Sequence, residues 1–176
     1  MMTDLAKQLK EGTKESHSAA ENTKFVASFL RGVISNENYG LLVANFYFVY
    51  RAMEEEIDKL KDNPTVARLL APGLRRTQAL ADDCKYFYGE NWADHITPSE
   101  ACQQYINRIR DIAATQPELL VAHAYTRYMG DLSGGQILAG IAERALGLKD
   151  KGLAFYAFPE IPYTNAFKID YRDTLD

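Results

Sequence analysis

Cysteine is almost absent from this sequence. Cys84 and Cys102 are the only two in 176 residues. A pair that far apart makes neither a disulfide framework nor a Cys-x-x-Cys metal site. A basic excess is also missing: 20 Lys and Arg stand against 24 Asp and Glu, for a net charge of -4. That balance counts against nucleic acid as a partner. No apolar run reaches the roughly 20 residues that cross a bilayer. The charged N-terminus, MMTDLAKQLKEGTKESH, lacks the apolar core of a signal peptide. These absences predict a soluble, cytoplasmic protein with reduced thiols and no membrane segment. Low-complexity segments, fixed-period repeats and linkers are missing too, and no strand-type alternation persists anywhere. A chain of this length fits one domain, residues 1–176.

What is present is helical periodicity. Thr3 and Asp4 offer a cap to a first helix carrying Leu5, Leu9 and Thr13 on one face. Phe25, Val26, Phe29 and Leu30 form a second stripe, ended by Gly32. A long helix is predicted from about Glu37 to Leu60, with Leu41, Leu42, Phe46, Val49, Met53 and Ile57 on its stripe. DNPT and APGLRR read as turns. Residues 78–88 read as helix. TPSEACQQYINRIRDIAA joins an N-cap signal to apolar spacing at Ala101, Tyr105, Ile109 and Ile112. Pro117 opens a helix predicted to run from Glu118 to Leu146. Pro159 and Pro162 mark a loop, and NAFKIDYRDTL reads as a last helix. The fold class is all-α, a bundle of about seven helices with short connections.

The predicted 118–146 helix contains an anomaly, YTRYMGDLSGGQ. Gly130, Gly134 and Gly135 each cost about 1 kcal/mol against alanine inside a helix. At 100° per residue, Gly134 lies about 40° from Gly130, with Ile137 and Ile141 within about 20° of it. Those two glycines are expected to point inward and to leave a trough of bare backbone. Gly135, about 140° away, permits a bend. Asp131 falls at the trough's rim. The spacing suits tight helix packing as well as a flat ligand. Thr126 and Ser133 are read as local partners of the backbone.

Of three histidines, His95 sits in a loop-like stretch, and His123 shares the glycine face as a core histidine. His17 has Glu21 four residues on, in reach of its ring, and Lys10 seven residues back on the same face. An imidazole oriented by a carboxylate suits a metal ligand, and a cation two turns away suits a carboxylate on the same ligand, as in an iron porphyrin. An ordinary charged surface helix has the same pattern. Lys168 and Arg172 form an i, i+4 basic pair that fits propionates or phosphates, or merely solvent. MEEEI raises a di-iron carboxylate site, but the Glu-x-x-His that such bundles use is missing. So are a GxxxxGK phosphate loop and a G-x-S-x-G elbow.

Taken together, KEGTKESHSAAEN and ELLVAHAYTRYMGDLSGGQ resemble the heme oxygenase family. The resemblance continues through NFYFVY, MEEEI, YFYGENW, LAFYAFPEI and FKIDYR, over Leu5 to Arg172. It is nearest to the soluble type of photosynthetic organisms. The resemblance implies cleavage of heme at the α-meso carbon to biliverdin, carbon monoxide and ferrous iron. It implies O2 and an external electron donor, a ferredoxin or another reductase, with heme as substrate and cofactor, on a monomer. It implies His17 as the iron ligand and Glu21 as its orienter. Gly130 and Gly134 would arch bare backbone over the distal side. Asp131 would organise distal water for proton delivery, with Tyr50 and Arg127 in the same network. Lys10, Tyr125, Lys168 and Arg172 would hold the propionates and so set the ring's rotation. Family members continue past the position of Asp176. The implied bundle is therefore short of their C-terminal helical segment, and a heme-binding or trafficking module without turnover is the second reading.

Overall fold

The computed structural model describes residues 4–69, 71, 73–149 and 151–176. The Thr3 cap and Pro72 of the APGLRR turn lie outside them. The described residues hold nine α-helices and no strand. They are α1 (Leu5–Gly12), α2 (Lys14–Glu21), α3 (Lys24–Leu30), α4 (Asn36–Lys59), α5 (Thr77–Tyr88), α6 (Glu100–Thr115), α7 (Leu120–Asp131), α8 (Gly134–Leu146) and α9 (Thr164–Leu175). Short 3-10 turns stand between them, one at Ala154–Tyr156. Among these residues no helix is long and apolar enough to cross a membrane.

The helix starts follow local chemistry. Ser35 and Ser99 each accept a bond from the amide three residues on, capping α4 and α6, and Thr23 does the same for α3. Asp4 gives α1 no such bond; the Asp176 carboxylate accepts from the Ala6 amide instead, at 2.9 Å. α4 is the hub, packed on α5, α6 and α7. It buries Val49, Tyr50, Met53 and Ile57, whereas Leu41, expected on the stripe, is exposed. In α6 the buried line runs through Cys102, Ile106, Ile109 and Ile112, one step from the expected Ala101, which is exposed.

Two predicted helices are interrupted. The first breaks at Thr13, whose hydroxyl donates to the Leu9 carbonyl at 2.8 Å, so Lys10 and His17 belong to separate helices. The second breaks at Leu132–Ser133, where α7 ends and α8 begins. Gln136 holds that break: its amide donates to the Asp131 carbonyl at 3.2 Å and the Tyr156 carbonyl at 2.9 Å.

The break also corrects the facing of the glycines. Gly130 and Gly134 are exposed, and a Cβ on either would meet nothing within 4 Å. Gly135 is the buried one, and a Cβ there would lie 3.3 Å from the Tyr156 ring. The 100° wheel fails because the chain does not keep one helical phase through residues 132–133.

Candidate functional site

The site begins where α4 meets the end of α7. Tyr50 is fully buried and donates its hydroxyl to Asp131 Oδ2 at 2.5 Å. Asp131 is the last residue of α7 and is buried in a charged setting. Burial raises its pKa to about 7, although the Tyr50 hydroxyl, Arg127 and Arg76 pull it down; Glu54 adds to the rise. Burial also holds the Tyr50 phenol well above its ordinary value. The tyrosine therefore stays a donor while the carboxyl is poised to gain or lose a proton near neutrality.

Arg127 lies over the Phe46 ring, 5.6 Å from its centre. Its Nε is buried and has no partner among the described residues. Burial lowers its pKa, but Tyr50, Asp131 and Tyr105 more than offset that, so it is a firm cation. A buried guanidinium nitrogen without a partner fits a site that takes in water or a polar ligand atom.

α2 buries none of its residues. α1 packs on α7 and α3 packs on α8. α2 joins α1 to α3 and packs on both. His17 is exposed on it, with Nδ1 3.6 Å from Glu21 Oε1, an ion-pair distance rather than a hydrogen bond. Nε2 is the nitrogen left for a ligand. His123 differs: its Nδ1 meets the Tyr105 hydroxyl at 2.9 Å, and burial, with Arg108 and Arg127, lowers its pKa. It is half-buried with a satisfied ring nitrogen, although the inward glycine face on which it was placed is not inward.

The remaining candidates divide. Tyr125 is buried on α7. Thr126 is exposed and returns its hydroxyl to the Ala122 carbonyl at 2.8 Å, and Ser133 is exposed at the break. Lys10 is exposed on α1, while Lys168 and Arg172 are half-buried on α9, which packs on α1. One network thus unites Tyr50, Arg127 and Asp131. His17 and Glu21 form a separate pair on α2, and the cations lie on α1 and α9.

Sequence reasoning missed three supporting groups. Arg76 is buried, and its guanidinium donates to the carbonyls of Gly73, Leu74, Phe155 and Ala157. Asp83 is buried and accepts the amides of Ala154 and Phe155, both at 2.8 Å. These two residues pin the 154–157 turn, which carries Tyr156 beneath Gly135. Glu54, read at first only as part of MEEEI, is the third. No local spacing marks any of them.

An exposed imidazole beside a carboxylate, and two helical glycines with open space around them, suit a flat metal-bearing ring. The chain's relatives agree. The model of the family described as heme oxygenase matches residues 3–176. Heme oxygenase 1 of Synechocystis is 53% identical over 176 residues, which are all of this chain and 73% of that protein. Heme oxygenase of the alga Porphyra purpurea is 52% identical over 177 residues, 75% of its length. The crystal structure of the Synechocystis heme oxygenase-1 in complex with heme superposes with a TM-score of 0.95, covering 98% of this chain and 78% of that one. Heme oxygenase from Leptospira interrogans, 48% identical, superposes at 0.94, covering 99% and 85%. Carried by its whole length in sequence and in fold, this chain belongs to the heme oxygenase family.

Proposed function

We propose that the chain binds heme between α2 and the α7–α8 break and cleaves it at the α-meso carbon, releasing biliverdin, carbon monoxide and ferrous iron. The substrate supplies its own redox centre, with dioxygen and electrons from an external donor such as a ferredoxin. The protein's share is placement and proton supply. His17 Nε2 takes the iron, and Glu21, beside Nδ1, orients the imidazole. Lys10, Tyr125, Lys168 and Arg172 take the propionates and so select the carbon that faces the distal side. Gly130 and Gly134 keep that side clear, because any side chain there would project into the space above the ring. Tyr50 occupies Asp131 Oδ2 and leaves Oδ1 to order water and pass a proton. Arg127 holds negative charge in the same network.

The observation that carries this reading is the Tyr50–Asp131 pair, buried and tuned to about 7 beside bare helical backbone. The test is a hemin titration followed by reduction in air. The wild type is expected to give a Soret band and then bilin absorption. Asp131→Ala is expected to keep the Soret band and lose biliverdin, and His17→Ala to weaken hemin binding and abolish turnover. A normal biliverdin yield from Asp131→Ala would refute the proton role. A Soret band that persists unchanged in the reduced wild type would make the chain a heme-binding module instead.

A further inference from the structure

α4 and α7 exchange two hydrogen bonds of one kind in opposite directions. Tyr50 of α4 donates to Asp131 of α7, and Tyr128 of α7 donates to Glu54 of α4 at 3.0 Å. On each helix the two groups sit one turn apart, i and i+4 on α4, i and i+3 on α7. The two tyrosine rings are 6.1 Å apart, and all four side chains are buried.

The second rung has further partners. Glu54 Oε1 also accepts the Arg76 amide at 2.7 Å. Oε2 accepts the Thr77 amide at 3.2 Å and its hydroxyl at 2.5 Å. Those amides open α5, whose own N-cap side chain makes no capping bond. One carboxylate therefore caps α5 and holds α7, with all four of its acceptor positions taken.

We propose that Glu54 is a positioning residue for Asp131: by gripping Tyr128 one turn earlier, it sets the depth and rotation at which α7 presents Asp131 to Tyr50. The inference rests on the reading of Asp131 as the proton-handling group. Asp131 needs such a grip because it ends its helix. Beyond it the backbone leaves helical geometry at Ser133, with φ -116° and ψ -91°, and helical bonding no longer fixes the chain. The groups acting on Asp131 are Tyr50 and Glu54 from α4, Arg76 ahead of α5, Arg127 from α7 and Tyr156 from the 3-10 turn. Glu54 is the one carboxylate among them, so it also makes Asp131 hold its proton to higher pH.

The experiment uses the full chain without hemin, with Asp carboxyl carbons labelled for NMR. Asp131→Asn identifies the Asp131 signal. Glu54→Gln is expected to lower the Asp131 midpoint by about half a pH unit or more. Glu54→Asp, which keeps the charge but cannot reach as far, is expected to leave the midpoint nearer wild type. Tyr128→Phe, which keeps the charge and cuts the rung, is expected to speed exchange of the Tyr50 hydroxyl proton by about tenfold or more. In the hemin-loaded protein Glu54→Gln is expected to slow bilin formation about tenfold while hemin Kd stays within about twofold. Folded variants with the wild-type midpoint and wild-type hydroxyl exchange, and only a lower Tm, would overturn the proposal. If Glu54→Gln does not fold, Tyr128→Phe decides alone, and unchanged hydroxyl exchange overturns it. Failure of the wild type to bind hemin would sink the oxygenase reading, yet the NMR arms would still decide the role of Glu54.

Discussion

Two interior carboxyls set the acid response of this protein. Burial raises Asp83 to about 6 and Asp131 to about 7. Both values stand above the unfolded aspartate value of about 3.9. The folded state therefore takes up these protons before the unfolded chain does. Their contribution to stability is complete below about pH 4 and is lost as pH rises through about 6 and about 7. Asp83 spends its carboxylate on two backbone amides, whereas Asp131 has one short bond and an oxygen left over, as the proposed proton-handling role requires. Asp131→Asn removes one of the two titrations. In urea denaturation at pH 5 and pH 8, the variant is expected to retain on the order of 3 kcal/mol that the wild type loses between those values. Equal losses in both proteins would show that the Asp131 carboxyl titrates below the range.

At the scale of elements, the α7–α8 break is the feature that separates this bundle from a simple one. Its three glycines differ in what surrounds them. Gly130→Ala adds a methyl into open space within a helix and is expected to stabilise the ligand-free protein by about 1 kcal/mol, while weakening hemin binding or turnover. Gly135→Ala must displace the buried Tyr156 ring and is expected to lower Tm. Thermal unfolding of the two variants checks the opposite signs. Much of the element pattern was legible in advance. α4 was expected from Glu37 to Leu60 and spans Asn36–Lys59, because an N-cap serine and a long apolar stripe are local signals. A bend at Gly135 was expected, but a full break at 132–133 was not legible, since Asp131 is held by Tyr50, 81 residues away, and Gln136 by Tyr156, 20 residues away. Glu54 was hidden for the same reason, its Tyr128 partner lying 74 residues off. The resemblance had already placed Tyr50, Arg127 and Asp131 in one network; the direct Tyr50–Asp131 bond and the support from Glu54, Arg76 and Asp83 came only with the coordinates.

Across the whole molecule, the packed bulk and α2 differ sharply in burial. α4, α5, α6 and α7 supply most of the core, while α2 contributes nothing buried. A ligand that binds only the folded state adds about 2.7 kcal/mol at a hundredfold excess over Kd. Hemin is therefore expected to raise Tm, and hydrogen exchange should locate the new protection in α2 and around residues 130–134, with α4 unchanged. Protection spread evenly over the core would place the ligand elsewhere.

The unburied state of α2 has a consequence for how the chain tolerates change. A library of α2 substitutions scored by cellular abundance would look almost neutral, because none of those side chains supports the fold. Scored by pigment formation, the same library would show sharp intolerance at His17. On the proposed function, the helix is held to its sequence by its cargo rather than by its neighbours.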